Sequence, residues 1–351
     1  MVSTPFVSVP PPRYGGTELI VAELVTGLAA AGHEVTLFAP GDSHVRGCEL
    51  RPRFARASWP PAPYVELAHA GHAVEEILAD ARSFDVVHTH APSLLAFARM
   101  LDAPVVYTVH HADGADYQKL APIYERSRVH FVAISERQRA LMPALADASV
   151  IHHGLDAAGS RLGAGNGGYC AFLGRLARDK GPHVAIDAAR AARVPIRVAG
   201  APHEHDHEYF EREIGARLCA SGVTAVGELG GADKRAFLAA ARALLFPVDW
   251  EEPFGLVMIE AMLAGTPVLA FARGSVPEIV DDGVTGFICR DADDMAKRLR
   301  ALSTDGGFDR AACRARALER WTSARMVRDY VALYERVHAW VGDVRAAETV
   351  A

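Results

Sequence analysis

Two stretches of this 351-residue sequence bring together residue types that can do chemistry. The first is WEEPFGLVMIEAMLAGTPVLAF, residues 250–271, in which Glu252 and Glu260 are separated by seven residues. Pro253 suits the first turn of a helix, and Gly265 with Pro267 stops one, so the pattern predicts a helix over about 254–264. Glu252 then stands at the helix mouth. Glu260 lies two turns inside, where a carboxylate among apolar residues costs energy unless it meets a partner. Gly255 leaves the backbone uncovered at the helix start, where free N–H groups can bind an anion. Two acceptor carboxylates beside such a helix end suit a ligand that carries hydroxyls and phosphates.

The second stretch is FLGRLARDKGPHVAIDAA, 172–189. A strand ends at Gly174, and a loop carries Arg175 and Lys180 to a helix opening at Pro182. Arg grips a pyrophosphate with its planar fork and Lys acts as a point charge. Together they can also stabilise a departing diphosphate without a metal.

Weaker signals lie elsewhere. In PPRYGGTE, 11–18, Gly15 and Gly16 remove side chains where backbone can approach a phosphate or sugar, and they equally suit a tight turn. No complete G-x-G-x-x-G follows a strand, so the dinucleotide fingerprint is absent. The histidines group as His88 with His90, His110 with His111, and His152 with His153, each at an expected strand end. Hydrogen bonding to a substrate fits them better than a metal, because no Cys or carboxylate cluster of ligand spacing accompanies them. His203, His205 and His207, in PHEHDHEYF, read as a solvated loop. Asp291 and Asp293 read as the acidic start of a helix. RPRFARASW, 51–59, offers Arg51, Arg53 and Arg56 with Phe54 and Trp59; a loop is favoured there over peripheral membrane contact, since flanking prolines forbid a clean amphipathic helix.

The elements that must position these residues alternate along the whole chain. Strands are expected at 2–7, 34–38, 85–88, 105–109, 131–134 and 150–152, then at 169–173, 196–199, 224–226, 243–246 and 267–271, with helices between. One helix runs from Glu18 to Ala31 and ends at Gly32; another occupies about 322–341. DAAGSRLGAGNGG, 156–168, has five glycines in thirteen positions and reads as a linker. The fold class is therefore α/β, with two doubly wound Rossmann-like domains, 1–155 and 169–321, facing across a cleft. Ligands of such sheets bind beyond the C-terminal strand ends.

Composition narrows the field. Lys and Arg number 37 against 43 Asp and Glu, a net charge of −6, which gives no footprint for nucleic acid. The five scattered cysteines argue against a disulfide framework or zinc ribbon and for a reducing, cytoplasmic setting. No signal peptide is expected at the N-terminus. The best apolar run, 255–272, is broken by Glu260 and Pro267, so no integral membrane segment is expected.

These residues resemble family 4 retaining glycosyltransferases, which have the two-domain GT-B fold. The likeness covers nearly the whole chain. It rests on GG-T-E at 15–18, HTH at 88–90, GRLARDKG at 174–181, the Glu252–Glu260 pair within EPFGLVMIEAMLAGTPV, and GSVPEIVDDGVTGF at 274–287. The resemblance implies transfer of a sugar from a nucleoside-diphosphate sugar, of uridine or guanosine type, to an acceptor hydroxyl, with no cofactor and no metal. Arg175 and Lys180 match the diphosphate-binding pair, Glu260 the ribose-binding carboxylate and Glu252 the one that contacts the donor sugar. Phe254, Gly255 and Leu256 match the backbone that meets hydroxyls and phosphate. His110 matches the histidine near the transferred sugar, and Gly15 and Gly16 the loop under the diphosphate and acceptor. Tyr14, His88 and His90 fall on the acceptor side. The last helix is expected to cross back onto the first domain. His153-Gly154 replaces the family's usual Asn-Gly, and the first strand is short. Two other readings, a GT-B sugar-nucleotide epimerase and a non-catalytic nucleotide-sugar-binding subunit, use the same donor without the same transfer.

Overall fold

The computed structural model describes residues 1–111, 129–142, 146–304 and 307–350. Its chain divides into two compact units, Met1–Gly154 with Ser323–Ala351, and Leu155–Thr322.

In the first unit, β1 (Val35–Leu37) pairs with β2 (Cys48–Leu50). A second parallel sheet has the order β3 (Val87–Thr89), β4 (Val105–Thr108), β5 (Val129–Ala133), β6 (Ser149–Val150). Met1–Ser3 stitches the two together: Val2 N–H donates to the His88 carbonyl and Ser3 N–H to that of Phe38, while the N–H groups of His90 and Phe38 donate back to Val2 and Met1. The expected first strand, 2–7, is thus only a short bridge at Val2. Pro5 and Pro10–Pro12 lack the N–H a central strand needs, and the chain leaves the sheet. Met1–Ser3 lies between the end of β1 and β3, at the point where the strand order reverses.

Two helices close this unit. Gly16–Ala30 and Ser323–Val350 pack so tightly that a Cβ on Gly27 would stand 2.4 Å from Val327 Cγ2. The long helix anchors the end of the first-unit sheet. Arg325 donates to the carbonyls of His152 (2.8 Å) and His153 (2.7 Å), and the hydroxyls of Tyr330 and Tyr334 reach Thr108 (2.7 Å) and His88 (2.6 Å). A cavity of about 730 Å³, lined by Thr36, Cys48, Phe84, Val86, His88 and Tyr334 among others, opens at the N-terminal edge of the strands.

The second unit is a six-stranded parallel sheet in the order β12 (Gly286–Cys289), β11 (Val268–Phe271), β10 (Leu244–Phe246), β7 (Cys170–Leu173), β8 (Ile196–Ala199), β9 (Val223–Gly227). Its core joins Phe172, Val198, Leu245 and Leu269 of the strands to Ile186, Met295 and Leu299 of the covering helices. The order reverses between β7 and β10, so the C-terminal ends of those two strands flank the place where such a sheet binds ligands. The glycine-rich stretch 156–168 packs into this unit. Gly163, Gly165 and Gly167 donate to the carbonyls of Ala264, Ala239 and Ala240, and Arg310 donates to Gly163 O (2.7 Å). A Cβ at Gly163 would fall 2.1 Å from Ala239 O, so that glycine serves close approach.

Tyr334→Phe removes the partner of a buried His88 nitrogen and is expected to cost about 1–3 kcal/mol. Urea denaturation measures it, and an unchanged midpoint would show that the hydroxyl contributes nothing.

Candidate active site at the strand ends

Arg175, Lys180, Glu252 and Glu260, which the sequence singles out in the second unit, all follow β7 or β10. Arg175 and Lys180 lie on the loop after β7, and Trp250 and Glu252 on the loop after β10. The two loops are joined through backbone, Asp249 N–H donating to Asp179 O at 2.8 Å. Gly181, at φ 69°, lies under Pro247, whose carbonyl oxygen would be 2.2 Å from a Cβ there.

Lys180 Nζ meets Glu252 Oε2 at 2.5 Å, and Trp250 Nε1–H donates to the same oxygen at 2.9 Å. The ammonium also stands over the Trp250 ring, 4.4 Å from its centroid, where the face of the indole attracts a cation. Glu252 is buried, and its backbone is held from below. Ser275 N–H donates to Glu252 O, and Ser275 Oγ–H donates to Phe254 O at 2.8 Å. A Cβ on Gly274 would be 2.2 Å from both Glu252 N and Glu252 O at a φ of 56°, so only glycine fits beneath that carboxylate.

The helix that follows runs Leu256–Leu263, two residues shorter at its start than the spacing predicts. Gly255 takes φ 78° as N-cap and turns the chain into the helix, leaving Pro253 and Phe254 in the turn before it. In the first turn Met258 N–H donates to Gly255 O at 2.9 Å, while Leu256 and Val257 N–H have no upstream helical carbonyl. Phe254 is buried edge-on against Trp321, so its side chain anchors the turn. Glu260 is paired with Lys234, on the helix Gly231–Ala240. Arg175 is held by Asp179 (3.2 Å) and Asp206 (3.5 Å) and donates to His205 Nε2 at 3.3 Å.

Sequence reasoning assigned no role to Trp250, Lys234 or Ser275. Trp250 lies inside the segment that drew attention, two residues from Glu252, and its indole N–H was the available signal. Lys234 gave none, since a lone Lys in a helical first turn is ordinarily solvated.

In the first unit, Gly15 is the N-cap of Gly16–Ala30 at φ 146°, where a Cβ would be 2.7 Å from Pro11 Cβ. Tyr14 is half exposed beside it. Glu18 is buried, accepts from Thr4 Oγ1–H at 2.5 Å, and has its carboxyl pushed above the usual range by burial. His90 and His110 share a hydrogen bond of 2.7 Å between Nδ1 and Nε2, and His110 stacks on His153 at 5.4 Å. His88, 4.4 Å from His90 between ring centroids, spends both nitrogens on Tyr334 and Thr108, which leaves neither for an acceptor. Burial, with neighbouring imidazoles adding to it, pushes His88, His90 and His153 well below 6.5, and burial brings His110 to about 3. The cluster is neutral, and in that form it can both donate and accept.

The remaining sequence readings find plain places. Asp291 Oδ1 accepts from Asp294 N–H at the start of Ala292–Thr304. Residues 51–59 lie outside helix and strand, with Arg51 tied to Asp80 at 2.7 Å. Among the described residues no helix is long and apolar enough to cross a membrane.

Two Rossmann-like units, the second presenting cations, carboxylates and a helix start at its switch point, define a GT-B-type α/β protein. Residues 14–158 match the family described as Glycosyltransferase Family 4, and residues 162–320 match Glycosyl transferases group 1. The phosphatidyl-myo-inositol mannosyltransferase of Mycolicibacterium smegmatis is 31% identical, over 90% of this chain and 90% of its own. Glycogen synthase of Mycobacterium tuberculosis is 28% identical over 90% and 88%. Anabaena HepE, solved with UDP and glucose, shares the fold at a TM-score of 0.73 and 19% identity, covering 95% of this chain and 99% of that one. The chain belongs to glycosyltransferase family 4 and is a glycosyltransferase.

Free histidine titrates near 6.5, so an unfolded chain takes up protons as pH falls through that value while the buried cluster does not. Stability is therefore full above about pH 6.5 and declines below it, toward the His110 value of about 3. Denaturation midpoints at pH 7.5, 6 and 5 should fall in that order, and a flat profile would contradict neutral burial.

Proposed function

We propose that this glycosyltransferase transfers a hexosyl group from a UDP- or GDP-sugar to an acceptor hydroxyl, with retention at the anomeric carbon and without a metal in the bond-making step. The carrying observation is the Lys180–Glu252 pair at the switch point of the second sheet. The two side chains neutralise each other in the chain alone, and one donor would satisfy both, its diphosphate on Lys180 and a sugar hydroxyl on Glu252. Arg175 adds a second cation on the same loop, and the helix start at Leu256 adds N–H donors. Glu260 would accept from a ribose hydroxyl, and Lys234 beside it is a further donor-side cation.

In this reading the bond from the anomeric carbon to the diphosphate breaks, and the electron pair leaves on the diphosphate oxygen. Arg175, Lys180 and the helix start stabilise that charge without a metal. The same oxygen takes the acceptor proton while the acceptor oxygen bonds to carbon on the face just vacated, which retains configuration. Glu252 already holds Lys180 and Trp250 and serves sugar binding in preference to covalent attack. His110, neutral and beside His90, would meet the transferred sugar as a hydrogen-bonding partner. The HepE structure with UDP and glucose supports a uridine donor, and the mannosyltransferase and glycogen synthase relatives support transfer to a hydroxyl.

Arg175→Ala and Lys180→Ala are expected to lower turnover by about 100-fold or more, far more than they lower folding stability. Wild-type turnover in either would remove the diphosphate assignment. Calorimetric titration with UDP and GDP should show one nucleotide bound equally with and without EDTA and lost in Lys180→Ala. NMR of the products separates transfer from epimerisation.

A further inference from the structure

The loop after β8 carries PHEHDHEYF, and its histidines take no part in the transfer described above. His203, His205 and Asp206 each bring a ligand atom within 4.8 Å of the other two. His205 Nε2 and Asp206 Oδ2 are 3.6 Å apart. Donor atoms bonded to one tetrahedral zinc ion at about 2.0–2.2 Å stand about 3.3–3.6 Å apart, so the exposed His205 and partly buried His203 complete the set by drawing in on the buried Asp206.

The turn that supplies these atoms is already ordered. Glu204–Asp206 forms a single 3₁₀ turn, in which His203 N–H donates to Asp206 Oδ2 at 3.2 Å and Asp206 N–H to His203 O at 2.9 Å. Three donors from four consecutive residues therefore meet with little further loss of chain freedom. The donor set, two imidazole nitrogens and one carboxylate oxygen, suits zinc and its neighbours nickel and cobalt, and not magnesium.

The protein itself shows that a cation fits between these atoms. The Arg175 guanidinium reaches in, with Nη1 3.3 Å from His205 Nε2 and Nε 3.5 Å from Asp206 Oδ2. Arginine can only donate, so His205 Nε2 must present its lone pair and hold its proton on Nδ1. That is the tautomer a metal needs.

We propose that His203, His205 and Asp206 form a binding site for a divalent transition metal of the zinc class, in direct competition with the guanidinium of Arg175. The metal takes no part in bond-making. Its charge displaces Arg175 from His205 and Asp206, so metal occupancy and the position of a diphosphate-binding cation become linked. The consequence for the donor rests on the function proposed above, whereas metal binding itself does not.

The test uses the full chain without nucleotide. Zn²⁺ titration by calorimetry, and Co²⁺ titration followed by its visible absorption, should give one site per chain. His205→Ala and Asp206→Asn each remove a ligand and should weaken binding by more than the about 10–100-fold that outer partners contribute. Arg175→Ala removes the competing charge and should tighten Zn²⁺ binding. Undiminished affinity in a His203→Ala/His205→Ala double variant would overturn the site. Unchanged or weaker affinity in Arg175→Ala would overturn the competition. Failure of any nucleotide to bind, with Zn²⁺ still held by these residues, would count against the donor reading alone.

Discussion

The site in the second unit depends on how closely three stretches of backbone approach one another at the edge of a parallel sheet. Residues 247–252, leaving β10, lie directly on Gly181 and on Gly274, where a Cβ would stand 2.2 Å from the Pro247 carbonyl and from the Glu252 backbone. Backbone cannot yield as a flexible side chain can, so those positions are closed to any other residue. The consequence reaches the chemistry in one step. With Gly181 and Gly274 setting the height of the 247–252 loop, the Lys180 ammonium and the Glu252 carboxylate meet at 2.5 Å. Trp250 can then serve both at once, by its ring face and by its N–H.

The first unit answers the same topological demand with different material. Its switch point is framed by Met1–Ser3 and β3, and the strand ends carry imidazoles in place of charged pairs. A charged cluster there would be costly, because His88, His90 and His153 are buried. Neutral imidazoles solve this by sharing protons along hydrogen bonds. Tyr330 and Tyr334, one helical turn apart on the last helix, complete the chain through Thr108 and His88. A helix that follows the second unit in sequence thus supplies part of the polar framework of the first.

Much of this was legible in the sequence because burial on both faces writes parallel strands as short apolar runs. VLAF, LLF and CAFL are such runs, and the structure has strands at each. CEL at 48–50 and GFIC at 286–289 are edge strands with mixed burial, so they lack that signature and went unread. The strand expected at 2–7 shows the opposite case: its residues are apolar enough, but Pro5 lacks the N–H a central strand needs. In the site, residue type marked Arg175, Lys180, Glu252 and Glu260, since charge in an apolar context is visible in one dimension. Lys234 was not, because its meaning comes from Glu260, which lies in another element. His88 and His90 look equivalent in HTH, yet only packing separates the one that is spent on Tyr334 and Thr108 from the one that faces His110.

The charged groups of the second unit follow one rule. Lys180 is matched by Glu252, Lys234 by Glu260, and Arg175 by Asp179 and Asp206. Each cation at the strand ends is held by a carboxylate, with side chains mostly withdrawn from water. Unpaired, such cations would repel one another and lose their positions; paired, they stay at the strand ends, where the function proposed above puts a diphosphate. The same carboxylates are hydrogen-bond acceptors, so a ligand that offers phosphate oxygens to the cations and hydroxyls to the carboxylates can enter by exchanging partners, with no net charge left unmatched. A nucleoside-diphosphate sugar has that composition, with acceptor oxygens at its centre and hydroxyls on both sides. In the function proposed above, a plain diphosphate would satisfy the cations and leave Glu252 and Glu260 without theirs, so the pairing would favour the whole donor over its leaving group.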